Sequence, residues 1–201
     1  MPYGKINCEL LEVCTSTNDV LIEKAKNGAE EGTTVISKSQ TGGKGTKGRS
    51  FYSPKNGIYM SVLLKGVQSE NLLDITPFAA VAVSEVLDRV CLVKTQIKPI
   101  NDIYLKRKIV CGILTQAESC GKNVNFVVVG IGINLVKPFG GFTEELQSIA
   151  GYILEKEDEK KRKKIITEIC ETLLEGAHRL ADEKFRKNMY SIYNEKIYTP
   201  V

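Results

Sequence analysis

The segment QTGGKGTKGRSFYSP, residues 40–54, combines glycines with cationic side chains. Gly43 and Gly48 have the spacing of a phosphate-binding loop, and Arg49 and Ser50 follow them. Backbone amides beside glycines can face a ligand without obstruction by a Cβ atom, and a concave nest of N–H groups binds anions. The segment therefore predicts an anion site. The alternative is a mobile basic surface loop.

A nucleotide-binding P-loop is excluded by the residues that follow Ser50. Such a loop needs a helix whose N-terminus faces the phosphates. Here the following residues are punctuated by Pro54 and Gly57 and are otherwise β-rich, and Arg49 takes the place of the required lysine. The segment GIGIN at 130–134 likewise lacks the third glycine of a dinucleotide fingerprint.

Strand and helix patterns surround these two glycine-rich segments. β-branched or apolar runs predict strands at 6–14, 33–40, 57–65, 93–99, 109–119 and 124–136. Apolar spacing and capping residues predict helices from Ser16 or Thr17 to Gly28, over 77–90, and near 143–152 and 158–182. Segment 101–108 is typical of a turn between strands, and 190–201 of the start of another strand.

The order of these elements is not a strict alternation of strand and helix. It therefore predicts an α+β fold with a mixed central β-sheet flanked by helices, rather than a doubly wound fold. A chain of 201 residues favours a single domain that can bury a substantial core.

Composition narrows the class of protein and its partners. The net charge of +4 is a mild cationic surplus, which suits anionic ligands and does not by itself indicate nucleic acid. The six cysteines form no C-x-x-C pair and the single histidine, His178, lies far from them, so reduced thiols in a cytoplasmic protein are expected and a zinc site is not. Neither a signal peptide nor a membrane-spanning run is found, so no membrane partner is predicted.

Several segments together resemble the catalytic domain of biotin protein ligases, in the biotin/lipoate protein ligase superfamily. STN at 16–18, the glycine-rich segment and the strand after it at 40–64, KPINDIYLKRKIVCGILTQ at 98–116 and VVVGIGINL at 127–135 stand in the order and spacing of that family. The family's loop G-R-G-R-R-G-R, followed by an aromatic residue, corresponds to GKGTKGR at 43–49 with Phe51. Its K-W-P-N-D corresponds to KPIND at 98–102.

The resemblance covers most of residues 6–182 and implies a fold like that of class II aminoacyl-tRNA synthetases and biotin ligases. It implies a single catalytic domain over residues 1–185. Residues 186–201 would then be a C-terminal segment, a remnant of the family's small β-barrel. No N-terminal helix-turn-helix is expected, because the first catalytic strand begins near residue 6.

The implied activity is that of an ATP-dependent, AMP-forming biotin–protein ligase with a single function. Biotin's carboxylate attacks the α-phosphate of Mg·ATP to give biotinyl-5′-AMP and pyrophosphate. A lysine on the biotin carboxyl carrier domain of a carboxylase then attacks the mixed anhydride. Biotin, ATP and the carrier domain are thus the expected partners, without DNA, and a homodimer is expected from the exposed strand edges of this family.

Roles for individual residues also follow from the resemblance. Lys98 is the implied catalytic residue, since its flexible point charge can touch both the carboxylate and the α-phosphate. Asp102 is the candidate ligand for Mg²⁺, with capping of the turn as the alternative. Biotin binding is assigned to Ser16, Thr17, Asn18, Gln40, Gly43, Lys44, Gly112, Ile113, Leu114 and Gly130. ATP or adenylate binding is assigned to Lys44, Gly45, Thr46, Lys47, Arg49, Phe51, Asn101, Gly132 and Asn134.

Three further assignments have structural alternatives. The neutral side chains at 16–18 suit biotin's ureido ring, which is polar but uncharged and must be fully paired when buried. They would also cap a helix. Lys98 could be an ordinary surface lysine at a strand end, and Phe51 an ordinary core residue.

The chain departs from the family pattern at three places. Thr46 stands where the family has an arginine and offers a phosphate neither charge nor a bidentate fork, so we expect weaker retention of biotinyl-AMP. Pro99 and Ile100 replace the tryptophan and proline after Lys98, which leaves the orientation of Lys98 open. Most of the small β-barrel is absent before Val201, which leaves acceptor engagement open.

Two other functions are alternatives, and the departures favour the first of them. The first is a degenerate paralogue that binds biotin or biotinyl-AMP without efficient transfer. The second is a lipoate–protein ligase, which shares the fold but carries a different arginine–glycine signature in its loop. A nucleic-acid binder is disfavoured, because the basic residues form no stripe interleaved with aromatic ones.

Overall fold

The computed structural model describes residues 6–121 and 123–199. The strands of these residues form one sheet in the order β1-β2-β3-β7-β6-β5-β4. β1 and β2 are parallel and the other neighbouring strands are antiparallel, which confirms the predicted mixed sheet. The strands are β1 (Cys8–Leu11), β2 (Thr34–Ser37), β3 (Ile58–Leu64), β4 (Gln96–Lys98), β5 (Asp102–Leu105), β6 (Lys108–Cys120) and β7 (Asn123–Ile133).

Helices cover both faces of this sheet. They are α1 (Thr17–Lys26), α2 (Ile75–Cys91), α3 (Glu144–Gln147), α4 (Glu159–Ala177) and α5 (Glu183–Glu195), with 3-10 turns at Thr46–Gly48, Ser69–Asp74 and His178–Ala181. The main core joins the sheet to α2, α4 and α5, and a smaller cluster on the opposite face lies beneath α1. None of the helices formed by the described residues has the length and hydropathy of a membrane span.

The alternation of side chains along β3 decides which residues reach the site. Met60 and Val62 point into the main core, whereas Leu63 belongs to the cluster beneath α1. Because successive side chains of a strand point to opposite faces, Ser61 faces the same side as Leu63. The same alternation on β7 puts Val129 and Ile131 in the core and leaves Gly130 on the face of α1.

The helix predicted near 143–152 is wrong in extent, since only the single turn α3 is helical there. One feature competes with a longer helix. After α3, Ile109 N donates to Ile149 O over 2.8 Å and Gly151 N donates to Ile109 O over 2.9 Å, so residues 149–151 join the end of the sheet.

Two further predictions are corrected. Residues 102–105 of the predicted turn form the strand β5, because Ile103 and Tyr104 are buried against the sheet, and the turn is confined to 106–107. The strand predicted from residue 190 onward is helix α5 up to Glu195, because its apolar residues have helical spacing and bury Met189 and Tyr193. This helix crosses the predicted domain boundary at 185.

The β5–β6 turn is strained, because Lys106 and Arg107 have φ of 50° and 66°. Left-handed backbone costs an L-residue roughly 1–2 kcal/mol, and two-residue hairpin turns of this kind favour Asn-Gly. The double substitution Lys106→Asn, Arg107→Gly is therefore expected to raise the free energy of unfolding by about 1 kcal/mol in urea denaturation. Lys106→Ala, Arg107→Ala is the control, since it removes both charges but keeps both Cβ atoms. An equal gain from the alanine pair would show that charge, and not backbone strain, is responsible.

Candidate active site

The floor of the site is bare backbone on β6 and β7. Gly112 pairs with Gly132 and Leu114 pairs with Gly130 in the sheet register. A Cβ atom at Gly130 would overlap the Asn18 amide, and one at Gly132 would come within 2.5 Å of the Phe51 ring. The missing side chains therefore leave a shallow trough, which Asn18 and Phe51 enter from above.

The Asn18 amide ties the start of α1 to this floor. Its Nδ2 donates to Leu114 O over 3.2 Å and to Gln116 Oε1 over 2.7 Å. Its Oδ1 lies 2.6 Å from the Ser61 hydroxyl on β3. Every polar atom of this buried amide is thus paired within the protein, so Asn18 fixes the site and has little capacity left for a ligand.

A second chain of hydrogen bonds links α1 to the glycine-rich segment. Thr17 N donates to Gln40 Oε1 over 2.9 Å, and Gln40 Nε2 donates to Ser53 Oγ over 2.8 Å. Ser53 Oγ in turn donates to Phe51 O over 2.8 Å. The position of Phe51 therefore depends on the same network that holds α1.

Ser16 differs from its two neighbours. Its backbone takes the N-cap position of α1, but its side chain makes no capping hydrogen bond. The residue is 3% exposed and lines a cleft of about 30 Å³ with Gln40 and Gly130. Ser16 therefore occupies the N-cap position without using its side chain as a cap. This leaves the Ser16 hydroxyl available to the cleft that the residue lines.

The predicted anion loop is a tight hairpin between Gly43 and Phe51. Gly45 N donates to Arg49 O over 2.7 Å, and Phe51 N donates to Gly43 O over 2.8 Å. At the tip, Arg49 Nη2 donates to Thr46 Oγ1 over 2.9 Å. Thr46, which stands at a family arginine position, is thus the partner of a neighbouring arginine.

Lys44, at the base of this hairpin, is paired across the cleft. Its Nζ lies 2.7 Å from Asp19 Oδ1 in the first turn of α1. Both side chains are well exposed, so the pair contributes little to stability and can exchange for another anion. Lys44 lines both the cleft and the larger cavity beside it.

The larger cavity, of about 410 Å³, collects most of the residues assigned to ATP or adenylate. Its lining combines polar residues from the hairpin and the sheet with an apolar wall from 142–150. The polar and charged residues are Lys44, Thr46, Arg49, Ser50, Asn101, Asp102 and Asn134, and the apolar wall is Phe142, Leu146, Ile149 and Ala150.

The Phe51 ring lies between the two spaces and lines both. The cleft beneath it has room for only one or two water molecules, so a ring system can enter only if Phe51 shifts. Phe51 is therefore neither a plain core residue nor solely a wall of the larger cavity.

The structure gathers the predicted residues into two groups with five exceptions. Ser16, Thr17, Asn18, Gln40, Gly130 and Gly132 line the cleft, whereas Gly45, Thr46, Arg49, Asn101, Asp102, Ile113 and Asn134 line the larger cavity, and Lys44, Phe51, Gly112 and Leu114 line both. Gly132, assigned to adenylate, thus lies with the biotin group, and Ile113, assigned to biotin, lies with the adenylate group. Gly43, Lys47 and Lys98 line neither space.

Lys98 lies beside the cavity but does not line it. It ends β4, and its Nζ lies 3.5 Å from Tyr104 Oη and 5.7 Å from the centre of that ring. Its partner in the sheet register is Asp102, which does line the cavity. Because directly opposed residues share one face of a sheet, Lys98 lies on the same face as Asp102, one strand away from the space where its substrate would lie.

Asp102 is the acidic residue of the cavity. Burial raises the pKa of its carboxyl above the ordinary value, and the positive charges of Arg49 and Lys98 oppose that rise. Asn101 Nδ2 donates to Asp102 Oδ1 over 3.2 Å and to Ile113 O over 3.1 Å, which fixes the turn before β5. The described residues include no group of three or more His, Cys, Asp or Glu side chains placed to hold a metal ion.

Several site residues were missed by sequence reasoning. Ser61 carries a recognisable signal, because it is a polar residue at the centre of a buried apolar strand. Asp19, which directly follows STN, had no signal as the partner of Lys44. The apolar wall had no sequence signal either, because Phe142 and Leu146 are distant from the hairpin in sequence and only the fold brings them to the same cavity.

Residues 10–134 match the biotin/lipoate A/B protein ligase family. The chain belongs to this family. It is 36% identical over 151 residues to the bifunctional ligase/repressor BirA of Bacillus spizizenii, an alignment that covers 74% of this chain and 46% of that protein. It is 31% identical over 106 residues to the biotin–[acetyl-CoA-carboxylase] ligase of Paracoccus denitrificans, covering 50% of this chain and 43% of that protein.

The fold is that of biotin protein ligases, as predicted. The structure matches the biotin protein ligase of Aquifex aeolicus in complex with biotin and ATP with a TM-score of 0.78 and 26% identity, over 95% of this chain and 78% of that one. The chain spans about half the length of the curated relatives it matches.

The contact between Phe51 and the glycine floor can be measured through stability. Gly132→Ala is expected to cost roughly 1–3 kcal/mol of unfolding free energy, because its Cβ would overlap the Phe51 ring. In a Phe51→Ala background the ring is gone, so the same substitution should cost much less. Urea denaturation of the wild type, the two single variants and the double variant gives the coupling free energy between Gly132 and Phe51.

Gly45→Ala is the matched control, since a Cβ there meets nothing closer than 3.4 Å. An unchanged cost of Gly132→Ala in the Phe51→Ala background would contradict the placement of Phe51 on the floor.

Proposed function

We propose that this chain is the catalytic domain of an ATP-dependent biotin–protein ligase. It would activate biotin with Mg·ATP to biotinyl-5′-AMP and transfer biotin to a lysine of a biotin carboxyl carrier domain. The observation that supports this most is the meeting of a neutral cleft and a cationic cavity at Lys44 and Phe51. A reaction that joins an uncharged ring bearing a carboxylate to a nucleotide requires these two environments side by side.

The neutral cleft suits the ureido ring of biotin. Ser16 offers a hydroxyl that is not used in capping, and Gln40 Nε2 has two hydrogens, of which Ser53 takes one. Leu114 supplies apolar surface for the rest of the ring system. No charged side chain other than Lys44 lines the cleft in the described part of the chain, as expected for a neutral polar ligand.

The larger cavity suits the phosphates and the base of ATP. Lys44 and Arg49 lie where the carboxylate and the α-phosphate would meet, and fixed cations at that point lower the cost of bringing two anions together. The apolar wall of Phe142, Leu146 and Ile149 offers a surface on which adenine can pack.

Asp102 fits a Mg²⁺ ion that enters with ATP. Magnesium is usually held by one or two carboxylates together with substrate phosphates and water, so a single cavity-lining carboxylate is sufficient. When bound, the ion neutralises phosphate charge. Asn101 Nδ2 donates to the carboxylate, and the positive charge of Arg49, which lines the same cavity, favours its ionised form.

Lys98 is proposed as the residue that stabilises the charge shared by the carboxylate and the α-phosphate. For this its ammonium has to extend from its place beside Tyr104 into the cavity that Asp102 lines. A lysine can do so, because its charge is carried on a flexible four-carbon stem.

The outer edge of β6 is the proposed contact surface for the carrier domain and for a second copy of the chain. β5 pairs with β6 only as far as Gly112, and Asn101 takes both backbone groups of Ile113, so the edge from 114 to 120 has no strand beside it among the described residues. Such an edge can accept another strand.

A cytoplasmic location and the absence of a DNA target stay predictions. The absence of a DNA target has to be tested because one relative is named a ligase/repressor.

The direct test is incubation with biotin, Mg·ATP and a biotin carboxyl carrier domain, read by intact mass. A mass shift of the carrier by one biotinyl group is expected, and Lys98→Ala should lower its rate by at least tenfold because the charge between the two anions is lost. Lys94→Ala, a change at a nearby exposed lysine, is the control and should react as the wild type does.

Other outcomes of this assay separate the rival functions. Adenylate formation without a carrier shift would support the degenerate paralogue. A carrier shift with lipoate and none with biotin would contradict the proposal and favour a lipoate–protein ligase. Equal rates for Lys98→Ala and the wild type would remove Lys98 from the mechanism.

Thr46 provides a test of adenylate retention. Thr46→Arg is expected to slow release of biotinyl-AMP roughly tenfold, because it adds a charged, forked donor to the cavity wall. Release is measured by rapid filtration of preformed complex, and unselective lysine labelling of a bystander protein should fall in parallel. Thr46→Ser, which keeps the hydroxyl that Arg49 contacts, should behave as the wild type does. An unchanged rate of biotinyl-AMP release from Thr46→Arg would contradict the hypothesis that Thr46 weakens retention of the adenylate.

A further inference from the structure

The segment 196–198 lies along the outer edge of β4. Ile97 N donates to Lys196 O over 2.7 Å, and Tyr198 N donates to Ile97 O over 2.8 Å. Ile97 and Ile197 form a parallel bridge. The strand that ends in Lys98 is therefore held on one side by β5 and on the other by this segment.

An ion pair anchors the segment to α2. Lys196 Nζ lies 2.6 Å from Asp88 Oδ2, with side chains that are 18% and 22% exposed. Asp88 Oδ1 also accepts from Thr95 N and from Thr95 Oγ1, each over 2.8 Å. Because one carboxylate holds both the residue before β4 and the segment beside it, their relative position is fixed.

Tyr198 is linked to Lys98 through Tyr104. Its ring stacks on Tyr104 with centroids 4.5 Å apart and an interplanar angle of 23°. Tyr104 is 9% exposed, and its hydroxyl is the contact of the Lys98 ammonium. The side chain of Lys98 is itself exposed and has no other polar partner among the described residues.

We propose that Tyr198 is a positioning residue for Lys98, acting through Tyr104. The inference rests on the proposed function, in which Lys98 serves the adenylation step. Tyr198 holds the Tyr104 ring in place, and Tyr104 holds the Lys98 ammonium beside the cavity, on the face of the sheet that Lys98 shares with Asp102. Lys98 then reaches the reacting anions from a defined starting point, and less side-chain freedom is lost in the transition state.

The test is the kinetics of adenylate formation, followed by pyrophosphate release with biotin and Mg·ATP. Tyr198→Ala is expected to lower kcat about threefold to tenfold with the KM for biotin unchanged, because Lys98 does not line the biotin cleft. Tyr198→Phe keeps the stacked ring and should restore the wild-type kcat. In a Lys98→Ala background, Tyr198→Ala should cause no further loss.

Chemical labelling supplies a readout that does not depend on activity. In pulsed acetylation with acetic anhydride, mapped by mass spectrometry, Tyr198→Ala should raise the reactivity of Lys98 relative to Lys94. Unchanged labelling, or an equal loss of kcat in the Lys98→Ala background, would overturn the inference and leave Tyr198 a merely structural role. A wild type that forms no adenylate would overturn the proposed function instead, and the acetylation result alone would then decide whether Tyr198 positions Lys98.

Discussion

Asn18 carries a buried amide whose polar atoms are all paired with β3 and β6, and this pairing fixes how α1 meets the sheet. It is possible only because Gly130 has no Cβ atom at the point of contact. An amide left unpaired at this depth would cost on the order of 1–3 kcal/mol, so the strand position and the helix position constrain each other. Thr17 and Gln40 extend the constraint to the hairpin that bears the cations.

The division of the site into two chemical environments follows from this arrangement. Phe51, placed by Ser53 and the glycine floor, separates a small cleft, whose lining is neutral apart from Lys44, from a larger cavity lined by Lys44 and Arg49. The carboxylate of a ligand in the first would point toward the cations of the second. Electrostatic stabilisation is most effective when such charges are fixed before the reaction begins, and the hairpin supplies them on a hydrogen-bonded frame.

The parts of the fold that could be predicted are those set by local patterns. The β-branched strands gave the mixed sheet, and glycines at fixed spacing located both the hairpin and the floor. Residues 190–195 were mispredicted because a short segment such as YSIYNE satisfies strand and helix spacing alike, and packing against α2 decides between them. Residues 102–105 were predicted as part of a turn because DIYL is short and flanked by polar residues, and its pairing with β6 makes it a strand. The pairing of Lys44 with Asp19 and the direction of Lys98 arise from contacts between distant segments, which no local pattern encodes.

We propose that the neutral cleft receives the biotin ring while the cationic cavity receives the adenylate. A crystal structure of the chain with biotinyl-5′-AMP would show both positions. We expect the ureido ring within hydrogen-bonding distance of the Ser16 hydroxyl and the Gln40 amide, Phe51 displaced from its present position, and the phosphate beside Lys44 and Arg49. A ligand whose biotin ring lies against Phe142 and Leu146, with the cleft beneath Phe51 unchanged, would contradict it.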